Sequence, residues 1–209
     1  MANVLYGNKN THKISLRNII QHTLSVKMGV KKSLLVVDMP KGTYNNFKSA
    51  EKNVKFVINE TGCDAVKLEN NQRNYKIIDK LTKKKIPVMG HIGFTPQFKK
   101  KFKIEGQTKS EVIKLLKEAK LIQKAGAFSI VLECLSPESA KLITRELDIP
   151  TIGIGSSFYC DGQILVTDDM LGISGFYPKF VKKYVNLNRI IAKAVKKYSR
   201  EVKLKKFPK

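Results

Sequence analysis

The sequence predicts an α/β fold built on a parallel sheet, of the (β/α)8 TIM-barrel kind. Three observations predict it. Short runs of β-branched and aliphatic residues recur along the chain, amphipathic helical patterns separate most of them, and a polar or ionisable residue follows nearly every run. Continuous apolar runs of this length suit strands buried on both faces, as a parallel sheet requires.

The elements follow in order. Leu34-Leu35-Val36-Val37 is the first run and ends in Asp38. Phe47, Ala50, Val54, Val57 and Ile58 then line a helix that Gly62 stops. Ala65-Val66-Lys67-Leu68 is the second run, with Glu69 at its end, and Tyr75, Ile78 and Leu81 mark the next helix. Ile86-Pro87-Val88-Met89 leads into His91. Thr108 and Glu111 form a T-x-x-E capping box ahead of an apolar stripe of Val112, Leu115, Leu116, Ala119 and Ile122, with Gly126 as the stop. Ser129-Ile130-Val131-Leu132 ends in Glu133, and Ser136-Pro137-Glu138 opens another helix, serine as cap and proline in the first turn. Ile149-Pro150-Thr151-Ile152 opens into Gly153-Ile154-Gly155-Ser156-Ser157, and Gln163-Ile164-Leu165-Val166 is the sixth run. From about residue 186, Ile190, Ile191, Ala194 and Val195 read as a final helix, and about 200–209 as a disordered basic tail. No low-complexity linker divides the chain, so one domain over 1–209 is expected.

Composition narrows the function classes. The formal net charge of +23 on 209 residues raises a nucleic-acid reading. The excess is nearly all lysine, however, with arginine at 17, 73, 145, 189 and 200 alone, and the lysines are spread along the chain among many asparagines. Bidentate readers of phosphate and base edges rely on arginine. The charge therefore reads as compositional bias on solvated helix faces, and no nucleic-acid partner is expected. No run approaches the roughly 18 apolar residues that span a bilayer, and the first residues have no signal-peptide pattern. Cys63, Cys134 and Cys160 are odd in number and lack metal-ligand spacing. They fit free thiols in a reducing cytoplasm.

In a barrel, the polar strand ends converge on one face, where barrel active sites are built. A doubly wound sheet would gather ligands at one crevice instead, and polar groups after nearly every strand favour the barrel. Each residue alone has a plain explanation: Asp38 could begin a turn before Met39-Pro40, Glu133 could be a loop carboxylate, and His91 a satisfied core histidine. Together they form a chemical set. Asp38 and Glu69 can hold a hard divalent cation such as Mg²⁺ through oxygen. Lys67, two residues before Glu69, shares its face of the strand and suits an anionic substrate that chelates the metal. Glu133 has no partner adjacent in sequence and is available as a base.

These residues resemble the ketopantoate hydroxymethyltransferase family. The resemblance lies in Val37-Asp38-Met39-Pro40, Val66-Lys67-Leu68-Glu69, the run Gly90-His91-Ile92-Gly93-Phe94-Thr95-Pro96-Gln97, Leu132-Glu133-Cys134, and the glycine loop from Ile152 through Val166, in the family's order over roughly residues 15–185. It implies a barrel of the phosphoenolpyruvate/pyruvate type. It also implies Mg²⁺-dependent transfer of a hydroxymethyl group from 5,10-methylenetetrahydrofolate to 3-methyl-2-oxobutanoate, giving 2-dehydropantoate. Carried over, Asp38 and Glu69 would be metal ligands, with Asp38 also at the substrate. Lys67 would contact substrate oxygens, Glu133 would accept the proton, and His91 would support them. A ring-like homo-oligomer, a decamer, is also implied.

The chain departs from the family at its start. Family members carry two further strands there, the second ending in an Asp-Ser pair that binds metal and substrate, whereas no Asp precedes Asp38. The expectation is a sheet lacking the barrel's first two strands. A misassigned start, a degraded gene, or substitution by other subunits or by Asn3, Asn8 or Ser15 would each account for it. Ser156-Ser157 is a smaller departure, affecting loop fit. Two other readings are a related Mg²⁺-dependent C–C lyase and an inactive remnant of the enzyme.

Overall fold

The computed structural model describes residues 5–7, 14–99, 101–175 and 177–208; Asn3 and Asn8 lie outside them. The elements are α1 (Leu16–Gly29), β1 (Val36–Asp38), α2 (Phe47–Thr61), β2 (Ala65–Glu69), α3 (Tyr75–Thr82), β3 (Val88–Gly93), α4 (Lys109–Lys124), β4 (Ser129–Glu133), α5 (Pro137–Glu146), β5 (Thr151–Ile154), β6 (Gly162–Gln163), α6 (Thr167–Leu171) and α7 (Leu187–Lys203). Six strands form one sheet in sequential order, β1 to β6, and every neighbouring pair is parallel. This is a half-barrel. The chain divides into two compact units, Met1–Ile164 and Leu165–Lys209, where the sequence suggests one domain. The whole sheet belongs to the first.

The sheet is buried as the apolar runs require. Leu68, Ile92, Ile130 and Leu132 along the strands, Met39 just past β1, and Ile78, Leu81, Ile122 and Ile143 from the helices, are almost wholly excluded from water. Each such side chain contributes about 1.5–3 kcal/mol of burial. Local signals set the helix ends. Ser15 and Asn46 make reciprocal capping bonds with Asn18 and Ser49, opening α1 and α2. Gly62 ends α2 in the left-handed conformation. There the Lys27 ammonium donates to the carbonyls of Thr61 (2.7 Å) and Gly62 (3.1 Å), placing a cation at the helix's negative end.

Several expectations are corrected. Thr108 caps α4 through the Glu111 N–H, but the Glu111 carboxylate returns to the Gln107 N–H at 2.9 Å. The sixth strand is only Gly162–Gln163, and Ile164 and Val166 beyond it are exposed. Helices α1 and α6 lie where no helix is expected. The last helix runs through Lys203, into the segment expected to be a disordered tail, and Phe207 stacks edge-on against Tyr198 at 5.2 Å between ring centroids. Cys63, Cys134 and Cys160 are free and buried. No helix among the described residues is long and apolar enough to cross a membrane.

One glycine fixes the register at the site. Gly93 sits opposite Glu133 with φ +89°, and the Phe94 N–H donates to the Glu133 carbonyl at 2.8 Å. A Cβ at Gly93 would overlap that carbonyl oxygen. Gly93→Ala therefore combines positive-φ strain with backbone overlap, and should destabilise the fold by roughly 2–5 kcal/mol. Urea unfolding checks this; an unchanged midpoint would mean that the β3–β4 ends can part at little cost.

Candidate active site

The carboxyl ends of β1 to β4 bring four of the five expected residues into one line of contacts. The Lys67 ammonium donates to Asp38 Oδ1 at 2.7 Å and lies 3.2 Å from His91 Nδ1. His91 Nε2 lies 3.1 Å from Glu133 Oε2, without a well-aligned hydrogen bond. An ammonium can only donate, so His91 Nδ1 accepts, and the ring proton sits on Nε2 facing Glu133. Burial pushes the imidazole pKa down and Lys67 pushes it further down, which keeps the ring neutral. Burial also disfavours the Lys67 cation, but Asp38 and Glu69 outweigh it and hold the ammonium charged.

Glu69 is the fifth residue and the most enclosed, 1% exposed. Its carboxylate accepts from the Gln97 N–H at 3.0 Å. Burial lifts its pKa to about 8, with Lys67 opposing and the negative charge of Asp38 adding to the rise. Lys67 is thus shared: it touches Asp38 directly and acts on Glu69 through space. The side chain of Asp38 is 51% exposed, so one carboxylate faces the open mouth and the other lines its floor.

Sequence reading misses the bracket beneath this pair. Gln97 donates its side-chain N–H to the Met39 carbonyl at 2.9 Å and accepts from the Tyr44 hydroxyl at 2.7 Å. Tyr44 is buried, and that burial, with the charges of Glu69 and Asp38, pushes its phenol pKa strongly up, so it stays a donor. Asn74 donates to the Glu69 carbonyl at 2.7 Å. The only sequence signal was that Gln97 closes the Gly90–Gln97 block. Ser156 also acquires a role. Its hydroxyl donates to the Leu132 carbonyl at 2.6 Å and accepts from the Leu135 N–H at 3.0 Å, bracing the segment that carries Glu133.

The donor set limits the metal chemistry. Among the described residues, no group of three or more His, Cys, Asp or Glu is arranged to hold a metal ion. Two neighbouring carboxylates, one with its pKa lifted by burial and by the other's charge, do not make a closed cage. They fit an open site for Mg²⁺, which uses one or two carboxylates and completes its shell with water and substrate oxygens.

The parallel half-barrel has counterparts among solved structures. A 2,3-dimethylmalate lyase of the phosphoenolpyruvate mutase/isocitrate lyase superfamily matches 99% of this chain and 70% of its own, with TM-score 0.57 and 13% identity. The phosphoenolpyruvate phosphomutase of Streptomyces platensis subsp. rosaceus matches 95% of this chain and 71% of its own, with TM-score 0.57 and 14% identity. These likenesses establish the fold class. Family follows from sequence. The profile of the family described as ketopantoate hydroxymethyltransferase matches residues 1–209. The 3-methyl-2-oxobutanoate hydroxymethyltransferase of Pelagibacter ubique is 48% identical over the whole chain and 81% of its own length. That of Clostridioides difficile is 46% identical over 98% of this chain and 76% of its own, and that of Pyrococcus furiosus 44% over 98% and 74%. The chain belongs to the ketopantoate hydroxymethyltransferase family.

Proposed function

We propose that this chain transfers a hydroxymethyl group from 5,10-methylenetetrahydrofolate to 3-methyl-2-oxobutanoate, giving 2-dehydropantoate for pantothenate synthesis. The observation that carries the reading is the line of contacts from Asp38 through Lys67 and His91 to Glu133. It puts a charged ammonium and a carboxylate on either side of one neutral imidazole.

The roles follow from charge. Asp38 and Glu69 would hold Mg²⁺, and the ion, when bound, supplies Lewis-acid stabilisation of negative charge on a keto acid's oxygens. Lys67 adds a positive charge at those oxygens as the enolate develops. Glu133 accepts the proton from C3 and, with His91 neutral beside it, acts as a carboxylate base. His91 faces Glu133 with its Nε2 at 3.1 Å and spaces it from Lys67, whose direct pairing would neutralise the base. The enolate carbon then forms its bond to the one-carbon unit of 5,10-methylenetetrahydrofolate, both of whose C–N bonds break as water supplies the hydroxyl oxygen and tetrahydrofolate leaves. The six-stranded sheet would be a sector of a (β/α)8 barrel, with the site at its mouth. The exposed apolar stripe of α7, Ile190, Ile191, Val195 and Tyr198, supports a homo-oligomer in which copies cover one another.

The test is a coupled assay of 2-dehydropantoate formation from the two substrates. Product should appear with Mg²⁺ and disappear with excess chelator. Turnover that survives chelation would contradict the roles given to Asp38 and Glu69.

A further inference from the structure

Two carboxylates hold the ion in the reading above, so the chain's grip on it rests on how firmly Asp38 and Glu69 are kept in place. They end different strands. β1 pairs with β2 only as far as Asp38 opposite Lys67, and Glu69 lies two residues further on. Past that pair the Met39 N–H donates to the Lys67 carbonyl at 3.1 Å. The ladder therefore stops short of Glu69, and a contact outside the two strands must fix one carboxylate against the other.

Gln97 makes that contact from a third place, the loop after β3. Its backbone N–H donates to Glu69 Oε2 at 3.0 Å, and its side-chain amide donates to the carbonyl of Met39, the neighbour of Asp38, at 2.9 Å. One residue thus holds the Glu69 carboxylate itself and the backbone beside Asp38. Met39 is then tied on both sides, through its N–H to β2 and through its carbonyl to Gln97.

The bracket is itself braced. A carbonyl only accepts, so the Gln97 amide nitrogen must face Met39, and its oxygen is left for a donor. The Tyr44 hydroxyl supplies one at 2.7 Å. Tyr44 packs edge-on against Phe98, 6.4 Å between ring centroids, and Asn53 of α2 donates to the carbonyl of the preceding Thr43 at 2.7 Å. Gln97 and Tyr44 are 5% and 2% exposed, so water competes little for these bonds and they stay rigid.

We propose that Gln97 is a positioning residue that selects the ion: by tying Met39 to Glu69 it stops the two carboxylates from spreading, and so favours Mg²⁺ over Ca²⁺. The inference rests on the roles given above to Asp38 and Glu69. Mg²⁺ demands near-ideal octahedral geometry with oxygens at about 2.0–2.1 Å, whereas Ca²⁺ accepts a wider and more adaptable shell at about 2.3–2.6 Å. Loosening the bracket therefore costs the smaller ion more than the larger one.

The experiment displaces bound Mn²⁺ with Mg²⁺ and, separately, with Ca²⁺, following the free Mn²⁺ paramagnetic signal in wild type, Gln97→Met and Tyr44→Phe. Methionine keeps the length of glutamine and the N–H that serves Glu69, but loses both side-chain bonds. Mg²⁺ affinity should fall roughly tenfold in Gln97→Met, a usual cost of removing a group that holds a metal ligand in place. Ca²⁺ affinity should stay within about twofold, so the preference for Mg²⁺ shrinks. Tyr44→Phe deletes one oxygen and should shift the preference the same way by less; should one variant fail to fold, the other decides. A wild type that binds neither Mg²⁺ nor Ca²⁺ overturns the metal reading and this inference with it. A wild type that binds Mg²⁺ no more tightly than Ca²⁺, or an unchanged preference in every variant that folds, overturns the inference alone. Failure of both variants to fold overturns it too, because the bracket would then serve the fold and not the choice of ion.

Discussion

Glu133→Gln should slow exchange of the C3 proton of 3-methyl-2-oxobutanoate with solvent deuterium by about 10²–10⁴-fold, the usual contribution of a positioned general base. Glutamine keeps the shape and can still face His91 Nε2, which lies 3.1 Å from the present carboxylate, but it cannot take a proton. Glu133 is not one of the two carboxylates assigned to the ion, so Mg²⁺ affinity should be nearly unchanged. Proton NMR of the keto acid in D₂O measures the rate directly. Normal exchange by the variant would remove Glu133 as the base, and loss of exchange together with loss of metal would make it a ligand instead.

The second large effect concerns Glu69 and pH. Its pKa is lifted from an ordinary 4.5 to about 8, chiefly by burial. The folded state thus holds a proton that the unfolded chain releases near 4.5. Folding stability from this group is fully present below about 4.5, falls as pH rises toward 8, and is constant above. Each unit between folded and unfolded pKa corresponds to 1.36 kcal/mol, so the loss is on the order of a few kcal/mol. Glu69→Gln has no proton to release and can still accept from the Gln97 N–H. Without metal, it should be the more stable protein at pH 8 and about equal to wild type at pH 4.5. Added Mg²⁺ should raise the melting temperature of wild type at pH 8 and leave the variant nearly unmoved. A wild type whose stability matches the variant's across this range would mean that Glu69 is ionised in the fold without help.

The strand ends separate what the sequence makes legible from what it does not. Asp38, Lys67, Glu69, His91 and Glu133 were legible because a strand's end and its two-residue alternation place a side chain without knowledge of any partner. Their mutual contacts were not. Lys67 meets His91 because β2 and β3 pair with Lys67 opposite Met89 and Glu69 opposite His91, and no residue in either run encodes that register. The bracket of Tyr44, Gln97 and Met39 joins positions more than fifty apart through loops, where periodicity carries no information. Helix α1 is not legible because its apolar residues are scattered: only Ile20 and Thr23 are buried, while Leu24, Val26 and Met28 are exposed. The last helix was legible from its stripe. Its end was not, since Lys203 is as basic as the residues beyond it.

The central claim is that Asp38 and Glu69 share one divalent ion beside Lys67. Binding of Mn²⁺, followed by the loss of its free electron-paramagnetic signal, tests it most directly. One Mn²⁺ should bind, compete with Mg²⁺, and bind at least tenfold more weakly to both Asp38→Asn and Glu69→Gln, as loss of one carboxylate ligand requires. Undiminished affinity in either variant would contradict the account.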